Sequence, residues 1–280
     1  MVIDGHCHAG RGERLTAPWN TEAKLGPYLR RARAAGIDRT VLMPLAPHGE
    51  YSRANREVAS IAARRPDRLM WFAAVHPTRD RGRIGEMIGD AVRRLGARGL
   101  KVHRMDAPIT REVCEAAQAF RLPVLYDVAG STGLIEMVAP QYPDVTFVVP
   151  HLGSFGDDWR AHVAVIDQLA RFPNVYADTS GVRGFDYLVE AIRRAGPQKL
   201  IFGSDGPQLH PGVELEKIRL LGLRPGDESM VLGGNLMRLL PRRSASAAGV
   251  GPRWPHAVGG AATRRRSRFS ATPAARKGGS

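Results

Sequence analysis

Two histidines stand two residues apart near the start of the chain, in Val2-Ile-Asp-Gly-His6-Cys-His8. The β-branched pair Val2 and Ile3 suits a short buried strand. Residues two apart on a strand share a face, so the two imidazoles can converge on one point. Neutral imidazole is a common ligand of divalent metals, and His6 and His8 therefore read as half of a metal site. Further along, His76, His103, Asp127, His151, Asp178 and Asp205 follow one another at intervals of 27, 24, 24, 27 and 27 residues. Each closes an apolar run, and each interval is the length of one strand–helix unit. A set of imidazoles and carboxylates of this kind suits zinc, manganese or iron. Each member also has a plainer role. His76 reads as satisfying nearby backbone groups, and Asp178 and Asp205 open turn sequences whose amides a carboxylate can accept. It is the joint alignment that points to a site.

Those positions need elements to hold them. Apolar runs at about 2–5, 38–43, 69–75, 99–102, 123–126, 145–149, 175–177 and 199–203 read as eight strands. Helical patterns follow at about 21–35, 52–65, 81–95, 110–120 (with Thr110 as cap), 132–142, 157–172, 185–195 and 211–240, the last broken near 222–227. Strict alternation with nearly continuous apolar strands implies a parallel sheet. Eight units in 240 residues fit an α/β (β/α)8 TIM-type barrel, whose active sites lie at the C-terminal ends of the strands. An open doubly wound sheet would ask for a Gly-rich phosphate turn, and no G-x-G-x-x-G occurs.

Composition narrows the function classes. The formal net charge is +14, yet nine of the 41 basic residues and none of the 27 acidic ones lie in 241–280. The body is thus only mildly basic. The sequence divides into a barrel domain, 1–240, and a basic Gly/Ala/Pro/Arg-rich tail, 241–280, expected to be disordered. Arg264-Arg-Arg-Ser-Arg268 could touch phosphates, but no specific nucleic-acid role is expected of it. No apolar run matches a membrane span, no signal-peptide pattern opens the chain, and two cysteines make no disulfide framework; a cytoplasmic protein is expected. Cys7 points to the face opposite the histidines. Ser154 and Ser204 lie outside any G-x-S-x-G elbow, which argues against a serine hydrolase.

His6-Cys-His8, Val149-Pro-His151-Leu-Gly153 and Phe202-Gly-Ser-Asp205-Gly-Pro207 resemble motifs of the amidohydrolase superfamily. Asn174–Gly181 and Gly234-Asn-Leu-Met-Arg-Leu-Leu240 also fit. The nearest branch is the amidohydrolase-related group that includes aminocarboxymuconate semialdehyde decarboxylase, and the resemblance spans residues 1 to about 240. It implies a distorted barrel with one divalent metal ion, zinc foremost, held by His6 and His8. It implies that His151 acts on the activated water or substrate, and that Asp205 is a ligand able to take a proton. Strand five in that branch usually closes on a histidine ligand, whereas this chain has Asp127. Either Asp127 binds the metal, or His103 supplies the missing imidazole, or metal affinity has fallen.

The expected chemistry is metal-dependent hydrolysis of an amide, ester or lactone bond in a small, carboxylate-bearing metabolite. A bound ion lowers the pKa of water from ~15.7 towards ~7, and Asp205 or His151 would handle the proton. Non-oxidative decarboxylation of an aromatic or unsaturated acid on the same site is the alternative, and a barrel that binds a metabolite without chemistry is a third. Arg104 and Arg183 follow strand ends and could clamp a substrate carboxylate, although in so Arg-rich a chain surface arginine is the better reading of each alone. The loops that would select a substrate, 9–20, 44–52, 104–109 and 206–212, carry no readable pattern, and the sequence leaves room for a homo-oligomer.

Overall fold

The computed structural model describes residues 1–11, 22–45 and 50–241. The tail from residue 242 and most of the loop 9–20 lie outside the described residues.

Eight parallel strands alternate with helices. They are β1 (Ile3–Arg11), β2 (Arg39–Pro44), β3 in two segments (Leu69–Trp71 and Ala73–Ala74), β4 (Leu100–His103), β5 (Val124–Asp127), β6 (Phe147–Val149), β7 (Val175–Asp178) and β8 (Leu200–Ile201). The first segment of β3 pairs with β2 and the second with β4, so the chain passes from one sheet to the next at Phe72. The ring closes between β1 and β8, where Gly5 N donates to the Phe202 carbonyl at 2.9 Å and Cys7 bridges Gly206. This is the expected (β/α)8 barrel.

Alternation along the strands separates two apolar layers. Ile3, Val41, Met43, Phe72, Leu125, Val148 and Ile201 fill the barrel, while Cys7, Leu42, Leu100, Tyr126, Phe147 and Ala177 face the helices. β1 has a register shift between Asp4 and Cys7. The extra residue lets Ile3 and His6, three apart, both face inward. Gly5 sits at that irregularity, where a Cβ would lie 3.0 Å from Ile201 and 3.1 Å from the Phe202 carbonyl.

The helices that follow the strands are α1 (Leu25–Ala34), α2 (Tyr51–Ala63), α3 (Ile84–Arg93), α4 (Arg111–Phe120), α5 (Gly133–Val138), α6 (Trp159–Arg171), α7 (Phe185–Ala195) and α8 (Pro211–Leu220). α1 starts later than its sequence pattern, because Glu22–Ala23 pairs antiparallel with the end of β1. Thr110 occupies the position before α4, but its side chain makes no cap hydrogen bond there. Beyond α8 come short turns at Pro225–Ser229, Met230–Gly234 and Asn235–Leu239. Leu236 and Leu240 from this segment join the inner apolar layer. No helix among the described residues is long and apolar enough to cross a membrane.

Candidate active site

The C-terminal strand ends bring most of the predicted ring together. His6 is fully buried, and Asp178, His151, Asp205 and Asp127 are nearly so. A cavity of about 400 Å³ opens over them, lined among others by His8, Lys101, His103, Asp127, His151 and Asp205. His76 stays outside it. Its Nδ1 accepts the backbone N–H of Arg79 at 3.2 Å, the plainer role expected for it. Arg104 and Arg183 do not line the cavity either. Arg183 is exposed and pairs with Asp157 at 3.4 Å.

Local backbone explains how the ligand candidates are aimed. His151 lies two residues past the end of β6, after Pro150, and takes φ 57°, with Leu152 at 48° and Gly153 at 102°, a left-handed turn that swings the imidazole inward. Gly153 fits closely as well, since a Cβ there would lie 2.7 Å from Val165. Asp205 also has a positive φ, 52°. Beneath β1, buried Asp4 accepts 3.1 and 2.9 Å hydrogen bonds from the His6 and Ser204 amides and further ones from the Tyr28 and Ser204 hydroxyls. It thereby ties the His6 turn to the segment carrying Asp205. Burial outweighs these hydrogen bonds and pushes the Asp4 carboxyl up to about 6.

Hydrogen bonds then decide which imidazole nitrogen is free. Asp178 accepts from His6 Nδ1 at 2.8 Å, so the His6 proton resides on Nδ1 and Nε2 carries a lone pair. That Nε2 is buried and has no hydrogen-bond partner. His151 Nδ1 lies 3.0 Å from the Ser180 carbonyl oxygen, which can only accept, so its Nε2 is likewise a lone pair. His8 Nδ1 faces the Pro44 carbonyl at 3.3 Å, with the same consequence. The Nε2 atoms of His6 and His8 stand 3.5 and 3.2 Å from one oxygen of Asp205. Ligand atoms of His6, His151 and Asp205 all fall within 4.8 Å of one another. Lone pairs facing a carboxylate in a buried place repel unless a cation stands among them, so this donor set fits a divalent metal ion.

Electrostatics agree with that assignment. Burial, reinforced by Lys101 and opposed by Asp178 and Asp205, lowers the His6 pKa to about 4, so the ring is neutral near pH 7. Burial works against ionised Asp205, but the imidazoles around it, His8 at 3.2 Å first and then His6 and His151, hold its carboxyl well below the usual range. Asp178 is also held down, despite its burial, by His6, His151 and Ser180. Its oxygens accept from the His151 and Ser180 amides at 3.0 Å as well as from His6.

Across the cavity, Asp127 is engaged differently. Its Oδ2 lies 3.1 Å from His103 Nε2, 3.8 Å from His151 Nε2 and 3.9 Å from Lys101 Nζ. His103 Nδ1 accepts the Met105 amide at 3.1 Å, so Nε2 bears the proton and donates to Asp127. Neither nitrogen of His103 is then left for a metal. Burial opposes ionisation of Asp127, yet the hydrogen bond and charge of His103, with Lys101 and His151, keep it well below the usual carboxylate range.

Sequence reasoning missed Lys101 and Ser180. Lys101 is inward by alternation with Leu100 and Val102, a signal that was present in the strand pattern. Ser180 Oγ donates to Asp178 at 2.6 Å and lies 3.0 Å from His151 Nδ1, which no spacing rule marks. Cys7 is buried in the barrel–helix layer, and Ser154 and Ser204 bond to Asp158 N and to Asp4, consistent with none of them being a nucleophile.

A family model described as amidohydrolase matches residues 3–242, and the chain belongs to that family of enzymes. Among curated proteins none matches the sequence. Several solved structures share the fold. 5-Carboxyvanillate decarboxylase LigW from Sphingomonas paucimobilis aligns with TM-score 0.69 and 18% identity, over 85% of this chain and 98% of its own. An amidohydrolase from Burkholderia multivorans with bound zinc gives 0.70 and 18%, over 86% and 100%. A probable 2-pyrone-4,6-dicarboxylic acid hydrolase from Acinetobacter baumannii gives 0.64 and 16%, over 85% and 98%.

Proposed function

We propose that the protein is a metal-dependent hydrolase that cleaves an amide, ester or lactone bond in a small organic substrate, with His6, His8 and Asp205 holding one divalent ion. The observation that carries this reading is the convergence of imidazole lone pairs on Asp205, each ring fixed through its other nitrogen. Zinc suits these N and O donors, and the zinc in the Burkholderia structure supports it. When bound, the ion supplies Lewis acidity that activates water and polarises a carbonyl.

The remaining work falls to the chain's own residues. Asp178 keeps the His6 lone pair aimed at Asp205, and the Ser180 carbonyl does the same for His151. His151 Nε2, free to accept, takes the proton of the attacking water and returns it to the leaving nitrogen or oxygen. The hydroxyl of water is thereby added to the acyl carbon and its proton to the departing group. The apolar wall of Phe155, whose ring stands 5.1 Å from that of His151, limits water around this exchange.

Decarboxylation on the same residues is the second reading, favoured by the fold shared with 5-carboxyvanillate decarboxylase. Assaying zinc- and manganese-loaded protein against lactones, amides and hydroxybenzoates, with product acid and carbon dioxide both measured, separates the two. His151→Asn should abolish turnover of the responsive substrate while zinc content stays at one per chain. Tight binding of those compounds with no product would instead make the barrel a metabolite-binding protein. His6→Ala with His8→Ala should empty the site of zinc, and unchanged zinc content would overturn the metal reading. The two buried cysteine thiols, Cys7 and Cys114, support a cytoplasmic setting.

A further inference from the structure

Lys101 is a nearly buried cation on the cavity wall whose ammonium makes no hydrogen bond with the described residues. Its side chain is 6% exposed and lines the cavity beside Asp127 and His103. The ammonium carries three N–H donors and makes no hydrogen bond with the described residues; its one charge partner, Asp127 Oδ2, stands 3.9 Å away, beyond hydrogen-bond reach. That oxygen is already taken by His103 at 3.1 Å, and the other oxygen of Asp127 accepts the Ala129 amide at 3.0 Å. Burying an ammonium with its donors unpaired is unfavourable unless something else completes them. Leu100 and Val102 belong to the outer apolar layer, the cross-strand neighbour Leu125 is apolar, and His103 presents an N–H rather than a lone pair.

The cavity side of Lys101, beside His103 and across from His151 and Asp205, therefore suits an acceptor group. We propose that Lys101 is the residue that selects an anionic substrate, by receiving a substrate carboxylate in this position, and that it takes the place expected of Arg104 and Arg183. The inference rests on the proposed function for the reacting centre but not on the metal for the anchor. A carboxylate accepts two or three N–H donors, which matches an ammonium on the wall of a small cavity. The location also sets a length. The anchored group sits on the β4–β5 side and the reacting bond on the β1–β6–β8 side, so the substrate is a compact acid whose carboxylate is separate from the bond that breaks. A decarboxylase substrate would by the same logic carry a second acid group or a phenolate for Lys101.

The test compares acetate and benzoate with acetamide and benzamide as probes, by titration calorimetry on the zinc-loaded protein and on the chelator-treated protein. The wild type should bind benzoate at least tenfold more tightly than benzamide in both forms. Lys101→Met, which keeps the length of the stem, should remove that preference and leave amide binding unchanged, with retained zinc. Lys101→Gln serves if the Met variant fails to reach the wild-type melting profile. An acid preference that survives both substitutions, or that disappears with zinc while Lys101 is intact, overturns the inference and leaves the metal reading standing. A Lys101-dependent preference in a protein that binds no zinc would do the reverse. No preference for either acid by the wild type also overturns it.

Discussion

The two sides of the barrel mouth use the same residue types in opposite ways. On the side of β1 and β8, His6 and His8 commit Nδ1 to oxygen acceptors and turn bare Nε2 atoms towards Asp205, while His151 after β6, its Nδ1 held at the Ser180 carbonyl, lies between the two sides with Nε2 3.8 Å from Asp127. On the side of β4 and β5, His103 is reversed: Nδ1 accepts the Met105 amide and Nε2–H donates to Asp127. The first side lacks a positive charge. The second already contains one in Lys101 and has donors to spare. What decides whether a histidine here presents a lone pair or an N–H to the cavity is therefore the group that claims its other nitrogen, and neither the residue type nor the strand position settles it.

The sharpest way to break this comparison is to remove the anion on the first side. Asp205→Ala should reduce zinc to background, read by atomic absorption after dialysis, and turnover should vanish with it. Next comes the orienting carboxylate. Asp178→Ala frees His6 Nδ1 and should weaken zinc binding about 10- to 100-fold, measured by competition with a chromophoric chelator. Rescue by Asp178→Asn, whose carbonyl oxygen can still accept from His6, would distinguish orientation from general damage. On the other side, Asp127→Asn should leave zinc stoichiometry at one per chain, since the amide oxygen can still accept from His103. Loss of zinc in that variant would show that the two sides are one ligand set and would collapse the distinction.

The smallest expected effect is on acid stability, and its sign can be worked out. His6 has a folded pKa of about 4 against an ordinary 6.5, so between those values the unfolded chain binds more protons and stability rises with pH. Asp4 has a folded pKa of about 6 against an ordinary 3.8, so in nearly the same window the folded chain binds more protons and stability falls with pH. The two slopes oppose each other in the metal-free protein. Asp4→Asn removes the falling one, and urea midpoints of the chelated variant should climb more steeply from pH 4 to 6.5 than those of the wild type. An unchanged slope would show that the burial of these two groups is not what governs that window.

Much of this was legible in the sequence because period and spacing report directly on strands. The regular 24- and 27-residue steps from His103 to Asp205 place the ring, and the apolar runs give the eight strands. His6 and His8 were readable from their separation alone. Ring nitrogen assignment was not, because it depends on carbonyls such as those of Pro44 and Ser180 that a sequence does not position. How Asp127 is engaged was not legible for the same reason: its neighbours Lys101 and His103 come from the adjacent strand, through the register Lys101–Leu125 and His103–Asp127. The arginines were hard to read because residues just past a strand end can face either way, and neither Arg104 nor Arg183 lines the cavity.

The segment after α8 reaches back under the barrel. Leu236 and Leu240 fill its floor, Asn235 Nδ2 donates to the Leu200 carbonyl at 2.8 Å, and the Val231 carbonyl accepts from Phe202. During synthesis, the opening strand therefore waits on the ribosome until residues 231–240 have been made. Until residue 240 has left the exit tunnel the β1–β8 seam has no floor to close upon, so a nascent chain halted at 230 should remain sensitive to protease where one halted well beyond 240 resists it.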